Sequence, residues 1–442
     1  MLVLFFFIGF IFFRINRAKA LSFLLFLYLV VPPAIAVPIE IVGINLVFSV
    51  VRGYFLGIIV SFIIRSKKNK FEYNTTNIFL ILFIIFLFSS LSWGKFILYD
   101  LKILFSEKLL LAFLGYYIFI RSFQTLDELM YLFKILYLSI IVISFYGFIE
   151  IITGKTIEDF QLVSYFSSLD YSSDLYHFKS GGLFDDNTGT SNNTRGGFLR
   201  PSGSFWNNII YAIALTFMTP YIITIRSRFY VKNKIFKQFM VFSSSLLTIS
   251  RSAWFSILYA FMLNYKKNKF ISIILITIFA FILLPFLALD FSNRGYADGS
   301  GLAFASRFSY IIPVFNELSS LDLLRGLGVG TFNFAIDTDQ KTTFISRLPA
   351  DNTFAQFVFS YALLGTFLFL TFFANIFRSL SLKFKEKSNS FQINSILTAS
   401  KQVLIIQITL FFISNSLFQD VRLNFVFFSM FGAISSVLLK SK

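Results

Sequence analysis

The sequence of 442 residues contains no cysteine and only one histidine, His177. Without cysteine the chain has no disulfide, no catalytic thiol and no thiolate metal site. One histidine also rules out a multi-histidine metal site. We therefore expect no metal and no other cofactor. His177 lies between Tyr176 and Phe178, and it is better explained as a packing residue of a loop than as a catalyst.

Charged residues are scarce as well, at 14% of the chain, whereas soluble domains carry about 25%. Hydrophobic residues make up 56%, and the mean hydropathy is +0.75. Length alone would suggest two or three soluble domains. Apolar runs near the length of a membrane span recur throughout, so the sequence instead predicts a single membrane domain over residues 1–442.

The hydropathy pattern predicts an all-α, polytopic helical bundle with twelve or thirteen spans. The first segment lacks a basic region and a cleavage site, so it is interpreted as a retained span. The 65 phenylalanines are better explained as lipid-facing bulk, or as an AT-rich coding bias, than as a functional aromatic box. The predicted spans are 2–13, 20–37, 43–64, 77–93, 100–120, 129–151, 206–225, 236–250, 252–264, 270–290, 353–376, 400–418 and 421–439.

The net charge of +17 is unevenly distributed over this layout. Of the 39 lysines and arginines, 24 fall on one side of the predicted membrane, together with only four of the 22 acids. Cytoplasmic loops are enriched in Lys and Arg, and such loops are attracted to the anionic inner leaflet. The excess positive charge is therefore a topology signal, and we expect no nucleic-acid partner.

Two loops on the opposite, extracytoplasmic side are long for membrane connectors: residues 152–205 and 291–352. Long loops without regular structure are usually functional or disordered. The first is rich in Gly, Ser, Asn and Asp. The second contains apolar residues at helical spacing over Ser306–Leu324, which predicts a short amphipathic helix. No internal repeat is evident, so a transporter built from inverted halves gains no support.

Cations on the extracytoplasmic side oppose the positive-inside rule and are functional candidates. A guanidinium matches phosphate oxygens in a bidentate way, so several converging arginines would suit a lipid-linked pyrophosphate. For any one of them the alternative is a salt bridge or a snorkelling side chain. The candidates are Arg52, Arg195, Arg200, Arg251, Arg294, Arg307, Arg325, Arg347, Arg422, Lys95, Lys102 and Lys108.

Four motifs follow one another along the chain on this predicted face. The first runs from Arg200 to Ala212 and leads into a span. The motifs that follow are Thr248–Trp254, the pair Ser306–Tyr310 and Arg325–Gly330, and Asp351–Gly365. In the third motif, Gly326, Gly328 and Gly330 are expected to permit a tight turn at the membrane surface.

This ordered set resembles the bacterial O-antigen ligase and Wzy-type O-antigen polymerase superfamily over roughly residues 195–375. The resemblance implies a GT-C-like glycosyltransferase of the bacterial inner membrane, with its active site facing the periplasm. Its donor would be an oligosaccharide on undecaprenyl pyrophosphate. By the same resemblance Arg200, Arg251 and Arg307 would surround the pyrophosphate, so that no metal is obligatory.

The fourth motif departs from the pattern, because many relatives begin it with His-Asn and this chain has Asp351-Asn352. Asp351 is our candidate general base; the alternative is that it caps the following helix. Arg195 and Arg347 are candidates for acceptor binding. The missing histidine favours a repeat-unit polymerase, with a chain-length regulator as a further partner. The alternatives are a ligase that transfers glycan to lipid A-core, and a polysaccharide transporter or flippase.

Overall fold

The structure is a computed structural model, in which the described residues are 2–31, 36–41, 44–65, 75–94, 101, 104–105, 109–153, 194–195, 198–199, 208–225, 239, 243–244, 248, 253–254, 258–260, 319–329, 353–385, 390–413 and 421–439. Their architecture is a bundle of helices with two short antiparallel hairpins. The helices are α1 (Leu2–Ile15), α2 (Arg17–Val30), α3 (Val50–Arg65), α4 (Thr75–Ser90), α5 (Leu110–Ser122), α6 (Leu126–Thr153), α7 (Asn208–Thr224), α8 (Ser320–Arg325), α9 (Thr353–Lys385), α10 (Phe391–Ile413) and α11 (Val421–Ile434, continued by a π turn over Ser435–Leu439).

Three helices in the described part of the chain are long and apolar enough to cross a membrane, within α6, α9 and α10. Five shorter apolar helices accompany them. Helix α6 has 28 residues and is therefore about 42 Å long, more than the roughly 30 Å of a bilayer core. These helices support the membrane assignment. Three predicted spans lie almost wholly outside the described residues: 236–250, 252–264 and 270–290.

The described part of the chain is helical as predicted, apart from two short hairpins. Strands β1 (Ala36–Ile41) and β2 (Ile44–Ser49) form an antiparallel hairpin where the second and third spans were predicted to end and begin. Prolines at positions 32, 33 and 38 oppose helix continuation, and β-branched residues favour strands. The hairpin also shortens the third span, so Arg52 lies in the first turn of α3 and not deep within a span.

A second hairpin pairs β3 (Thr194–Arg195) with β4 (Phe198–Leu199), Arg195 lying opposite Phe198. It ends directly before Arg200. The hairpin therefore lies in the first long loop of the sequence, just ahead of the first motif.

The bundle is organised by parallel pairs of helices that approach closely at glycines. Helix α1 packs along α3, where a Cβ on Gly9 would collide with the Tyr54 backbone and one on Gly57 with the Phe6 backbone. Small residues at such crossings let helix backbones meet. Because α1 and α3 run parallel, Arg14 and Arg65 end up together: Arg65 Nη1 donates to the Arg14 carbonyl at 3.5 Å.

Many phenylalanines pack inside the bundle, so the expectation that they are mainly lipid-facing bulk is wrong for the described residues. Phe427 and Phe428 are fully buried, and Phe428 stacks on Phe372 with a centroid distance of 5.7 Å. Stacked contacts of this kind stabilise the packing beyond the burial of each ring. Others, such as Phe7 and Phe367, remain exposed.

Several described cations lie at one end of the bundle, here called the basic end and defined by Arg14, Arg65, Arg121 and Lys401. Arg121 lies over the Tyr117 ring, which in turn contacts Phe62 near the end of α3. The predicted sorting of charge agrees with this grouping.

Two further contacts bring other helices to the basic end. The Lys19 ammonium lies 5.9 Å from the Tyr131 ring near the start of α6. The Thr224 hydroxyl donates to Gln402 Oε1 at 2.9 Å, joining the end of α7 to the middle of α10, which runs antiparallel to it. Helices α6 and α10 therefore start at the basic end, and α7 ends there.

Candidate functional site

The described parts of the four motifs lie at the other end of the bundle, here called the motif end. It contains the starts of α7 and α9, the end of α10 and the turn after α8. Phe354 in the first turn of α9 packs on Phe411 and Phe412 near the end of α10, with centroids 6.0 and 5.1 Å apart. Since α10 starts at the basic end, the fourth motif enters its helix at the motif end.

The third motif docks directly on the helix of the fourth. After α8 the chain turns through Gly326 (φ +78°) and Gly328 (φ +114°), so the expected tight turn is confirmed at these two glycines. The Leu327 N–H donates to the Phe359 carbonyl at 3.2 Å. A Cβ on Gly326 would lie 2.5 Å from the Ser360 carbonyl oxygen, so only glycine fits this contact.

Helix α9 is kinked where the turn meets it. Ala362 has φ +57° and ψ −172° inside the helix, a conformation that costs about 1–3 kcal/mol for a residue with a Cβ. The kink interrupts the regular bonding of the preceding turn, and the Phe359 carbonyl accepts from Leu327. The contact between Leu327 and Phe359 therefore stabilises the strained conformation of Ala362, in the middle of the fourth motif.

Trp93, three residues after the end of α4, anchors the same junction. Its indole N–H donates to the Arg325 carbonyl at 3.0 Å, and its ring lies 6.3 Å from that of Phe86. The Arg325 side chain turns back to Asp322, with Nη2 and Oδ1 3.3 Å apart. For Arg325 the alternative of a salt bridge is therefore the one observed.

A buried polar cluster lies on the α6–α7 side of the motif end. Near the basic end, Phe133 of α6 packs on Tyr221 of α7 with centroids 5.0 Å apart. Moving about 16 Å along these antiparallel helices brings Ser144 level with Tyr211. The Tyr211 hydroxyl faces the hydroxyls of Ser144 and Ser244, but no oxygen of the three has a hydrogen-bond partner among the described residues.

Glu150 adds a carboxylate to this cluster and is fully buried. It lies close enough to Tyr211 for its charge to act on the phenol. Burying a carboxylate in a helical bundle is costly, so such a residue is a functional candidate by default. Glu150 was not predicted from the sequence, because it falls in the last turn of an apolar span, where acids can reach water.

The cluster connects the first and second motifs. Tyr211 belongs to the first motif, and Thr248 of the second donates its backbone N–H to the Ser244 carbonyl at 3.2 Å. Thr248 and Trp254 are both buried. The first motif thus contacts the segment that carries the second, while the third contacts the fourth.

Most of the predicted site residues lie outside the described residues. These are Arg200, Arg251, Arg307, Arg347 and Asp351. Arg195 is described as backbone in β3 only. Helix α9 begins at Thr353, two residues after Asp351, and both the base and the cap hypotheses for Asp351 stay open. Residues 306–318 of the predicted amphipathic helix are likewise outside the described part, and α8 covers only Ser320–Arg325.

No model of a known protein family matches the chain, and no curated protein matches it either. The functional assignment therefore depends on the motif resemblance and on the geometry of the motif end.

Proposed function

We propose that the chain is a repeat-unit polymerase for O-antigen or a related bacterial surface polysaccharide. The growing glycan on undecaprenyl pyrophosphate is the donor, and a newly flipped lipid-linked unit is the acceptor. The observation that carries the proposal is the docking of the third motif on the fourth at the motif end, where the Leu327 N–H donates to the Phe359 carbonyl at 3.2 Å. Segments distant in sequence thus meet at the end opposite the basic end.

The reaction requires two things of the protein: groups that stabilise the negative charge of the leaving group, and one general base. The bond between the sugar C1 and the pyrophosphate oxygen breaks, and a bond from C1 to an acceptor hydroxyl oxygen forms. Arg200, Arg251 and Arg307 stabilise the negative charge of the leaving pyrophosphate. Asp351 takes the proton of the acceptor hydroxyl, while Arg195 and Arg347 hold the acceptor unit.

Glu150 has a positioning role in this proposal. Its carboxylate is inaccessible to a glycan because it is fully buried, so it is not assigned proton transfer. Its charge acts on the hydroxyl of Tyr211 at the start of α7, and Tyr211 follows Arg200 by eleven residues in the sequence. We assign it the task of fixing the helix start from which the first motif projects.

Deletion of the gene in its bacterium and complementation with the chain tests the proposal. Loss of a polymerase leaves surface lipid with single repeat units, and complementation restores a ladder of repeat numbers. Loss of a ligase instead leaves polymer on its lipid carrier. Loss of a flippase leaves lipid-linked units at the cytoplasmic face. Either of the last two results overturns the polymerase assignment.

A further inference from the structure

Ring contacts show that the kink in α9 is a sharp bend. The rings of Phe357 and Phe369 lie 4.7 Å apart between centroids, although these two positions are about 18 Å apart along a straight α-helix. Two Phe side chains cannot bridge that separation. Residues 353–361, here called the lead segment, therefore bend sharply towards residues 363–385, and the hinge is Ala362.

The bent form costs α9 several hydrogen bonds. An α-helical bond from the Leu363 N–H to the Phe359 carbonyl requires helical dihedral angles at the residues between them, and Ala362 does not have them. The Thr366 hydroxyl is buried and has no hydrogen-bond partner among the described residues. Thr371 of the same helix donates to the carbonyl four residues before it at 2.8 Å. A straight α9 would offer Thr366 the same kind of acceptor.

The turn after α8 holds α9 in the bent form. The Leu327 N–H donates to the Phe359 carbonyl, which a straight helix would use internally. A Cβ on Gly326 would lie 2.5 Å from the Ser360 carbonyl oxygen and 3.0 Å from the Ala362 nitrogen, so the turn lies directly against the hinge. A group inserted into the hydrogen-bond ladder is a recognised cause of a sharp kink.

Aromatic packing also favours the bent form. Phe357 and Phe369 are both buried, and Phe83 of α4 contacts Tyr361 and Phe369 with centroids 6.0 and 5.6 Å apart. Strain and interrupted helical bonds therefore favour a straight α9, whereas ring packing and the docked turn oppose it. Where such terms oppose each other, a single contact can decide between two arrangements of a packed element.

We propose that the turn after α8 is a latch and Ala362 a hinge, so that α9 exchanges between the latched, bent form and a straight form. In the straight form the Phe359 carbonyl changes its partner from Leu327 to Leu363. The lead segment, about 13 Å long, then swings away from the bundle. Release of the third motif thus moves the helix of the fourth. This exchange does not depend on polymerase activity, so the two proposals fail separately.

Double electron–electron resonance between two spin labels measures the bend directly. The chain has no cysteine, so the variant Q356C/L382C can be labelled at these two positions alone. The labelled positions are about 39 Å apart along a straight helix and about 30 Å or less when α9 bends at Ala362. The otherwise unchanged chain should show the shorter distance. Gly326→Ala should raise the share of the longer distance about tenfold or more, because the added Cβ strains the latch.

A second substitution tests the hinge. A362G added to G326A should restore the shorter distance, because glycine adopts a positive φ without strain. The control Leu324→Ala, at an exposed residue of α8, should leave the distances unchanged. If G326A does not fold, Trp93→Phe should raise the longer distance about fivefold, since it removes one hydrogen bond to the turn.

Three results would overturn the proposal. One is the longer distance alone in the chain that carries only the two labels, because α9 would then be straight without release of the latch. Another is an unchanged distance distribution in both G326A and W93F, which would show that the turn does not hold the bend. The third is a longer distance that persists in G326A/A362G, which would exclude Ala362 as the hinge.

Discussion

The backbone N–H of Leu327 donates to the carbonyl oxygen of Phe359, although the two residues belong to different motifs. Gly326 makes this bond possible, because its positive φ and missing Cβ allow the turn to lie against the Ser360 carbonyl. The kink at Ala362 lies directly after the bonded carbonyl. Position 326 thus couples the turn of the third motif to the geometry of the fourth.

Replacing Gly326 with alanine should lower the free energy of unfolding by about 1–3 kcal/mol, from the strained φ and the close contact with Ser360. It should also shorten or abolish the polysaccharide ladder. Thermal unfolding of the purified protein and gel analysis of surface lipid measure the two effects. The control Leu324→Ala changes an exposed residue of α8 and should cost less than about 0.5 kcal/mol. Wild-type stability and ladder in G326A would show that the docking is unimportant.

Trp93→Phe removes the indole donor to the Arg325 carbonyl while keeping an aromatic ring. The expected cost is about 1 kcal/mol, the usual net value of one hydrogen bond. Amide hydrogen exchange over residues 319–329 should become faster, because this bond holds the turn against α4. Phe88→Leu, a change at an exposed residue of α4, is the control. Unchanged exchange in W93F would mean that the turn is held by its other contacts alone.

Much of the helical layout was predictable from hydropathy. The predicted spans 129–151, 206–225 and 421–439 agree closely with α6, α7 and the α11 region. A long apolar run bounded by charges forms a helix in a bilayer, because its backbone groups must hydrogen-bond to one another. The β1–β2 hairpin was missed because its residues are as apolar as a span. The kink at Ala362 depends on docking by Gly326, a contact made across the fold.

The candidate site was predictable only as motifs on a shared face. Positive φ at Gly326 and Gly328 follows from their sequence pattern. The burial of Glu150 near enough for its charge to act on Tyr211 does not follow from the sequence, because it depends on the register between α6 and α7. Hydropathy predicts where each helix begins and ends. It does not predict the rotation of a helix about its axis, and this rotation decides which polar residue is buried.

Glu150→Gln keeps the size of the side chain and removes its charge. We expect polymer yield to fall on the order of 100-fold, the effect of a small misplacement of catalytic groups, while the protein still accumulates in the membrane. Glu128→Gln is a matched control, since Glu128 lies on the same helix at the basic end, where it accepts from the Gln124 N–H at 2.7 Å. A full ladder from E150Q would remove Glu150 from the site.

Asp351→Asn separates the base from the helix cap. Asparagine caps a helix about as well as aspartate, but it accepts no proton from an acceptor hydroxyl. If Asp351 is the base, the variant should make no polymer while its unfolding temperature stays near that of the wild type. A near-normal ladder from this variant would leave only the capping role.

The most direct measurement is polymerisation in vitro by the purified chain, with undecaprenyl-pyrophosphate-linked repeat units as both donor and acceptor. The account predicts lipid-linked products of two and more repeats, formed without added metal. Arg251→Ala should reduce the rate by about 100-fold or more, as expected when one group that stabilises a leaving anion is removed. Absence of any longer product from the folded wild-type protein, or an unchanged rate for R251A, would contradict the account.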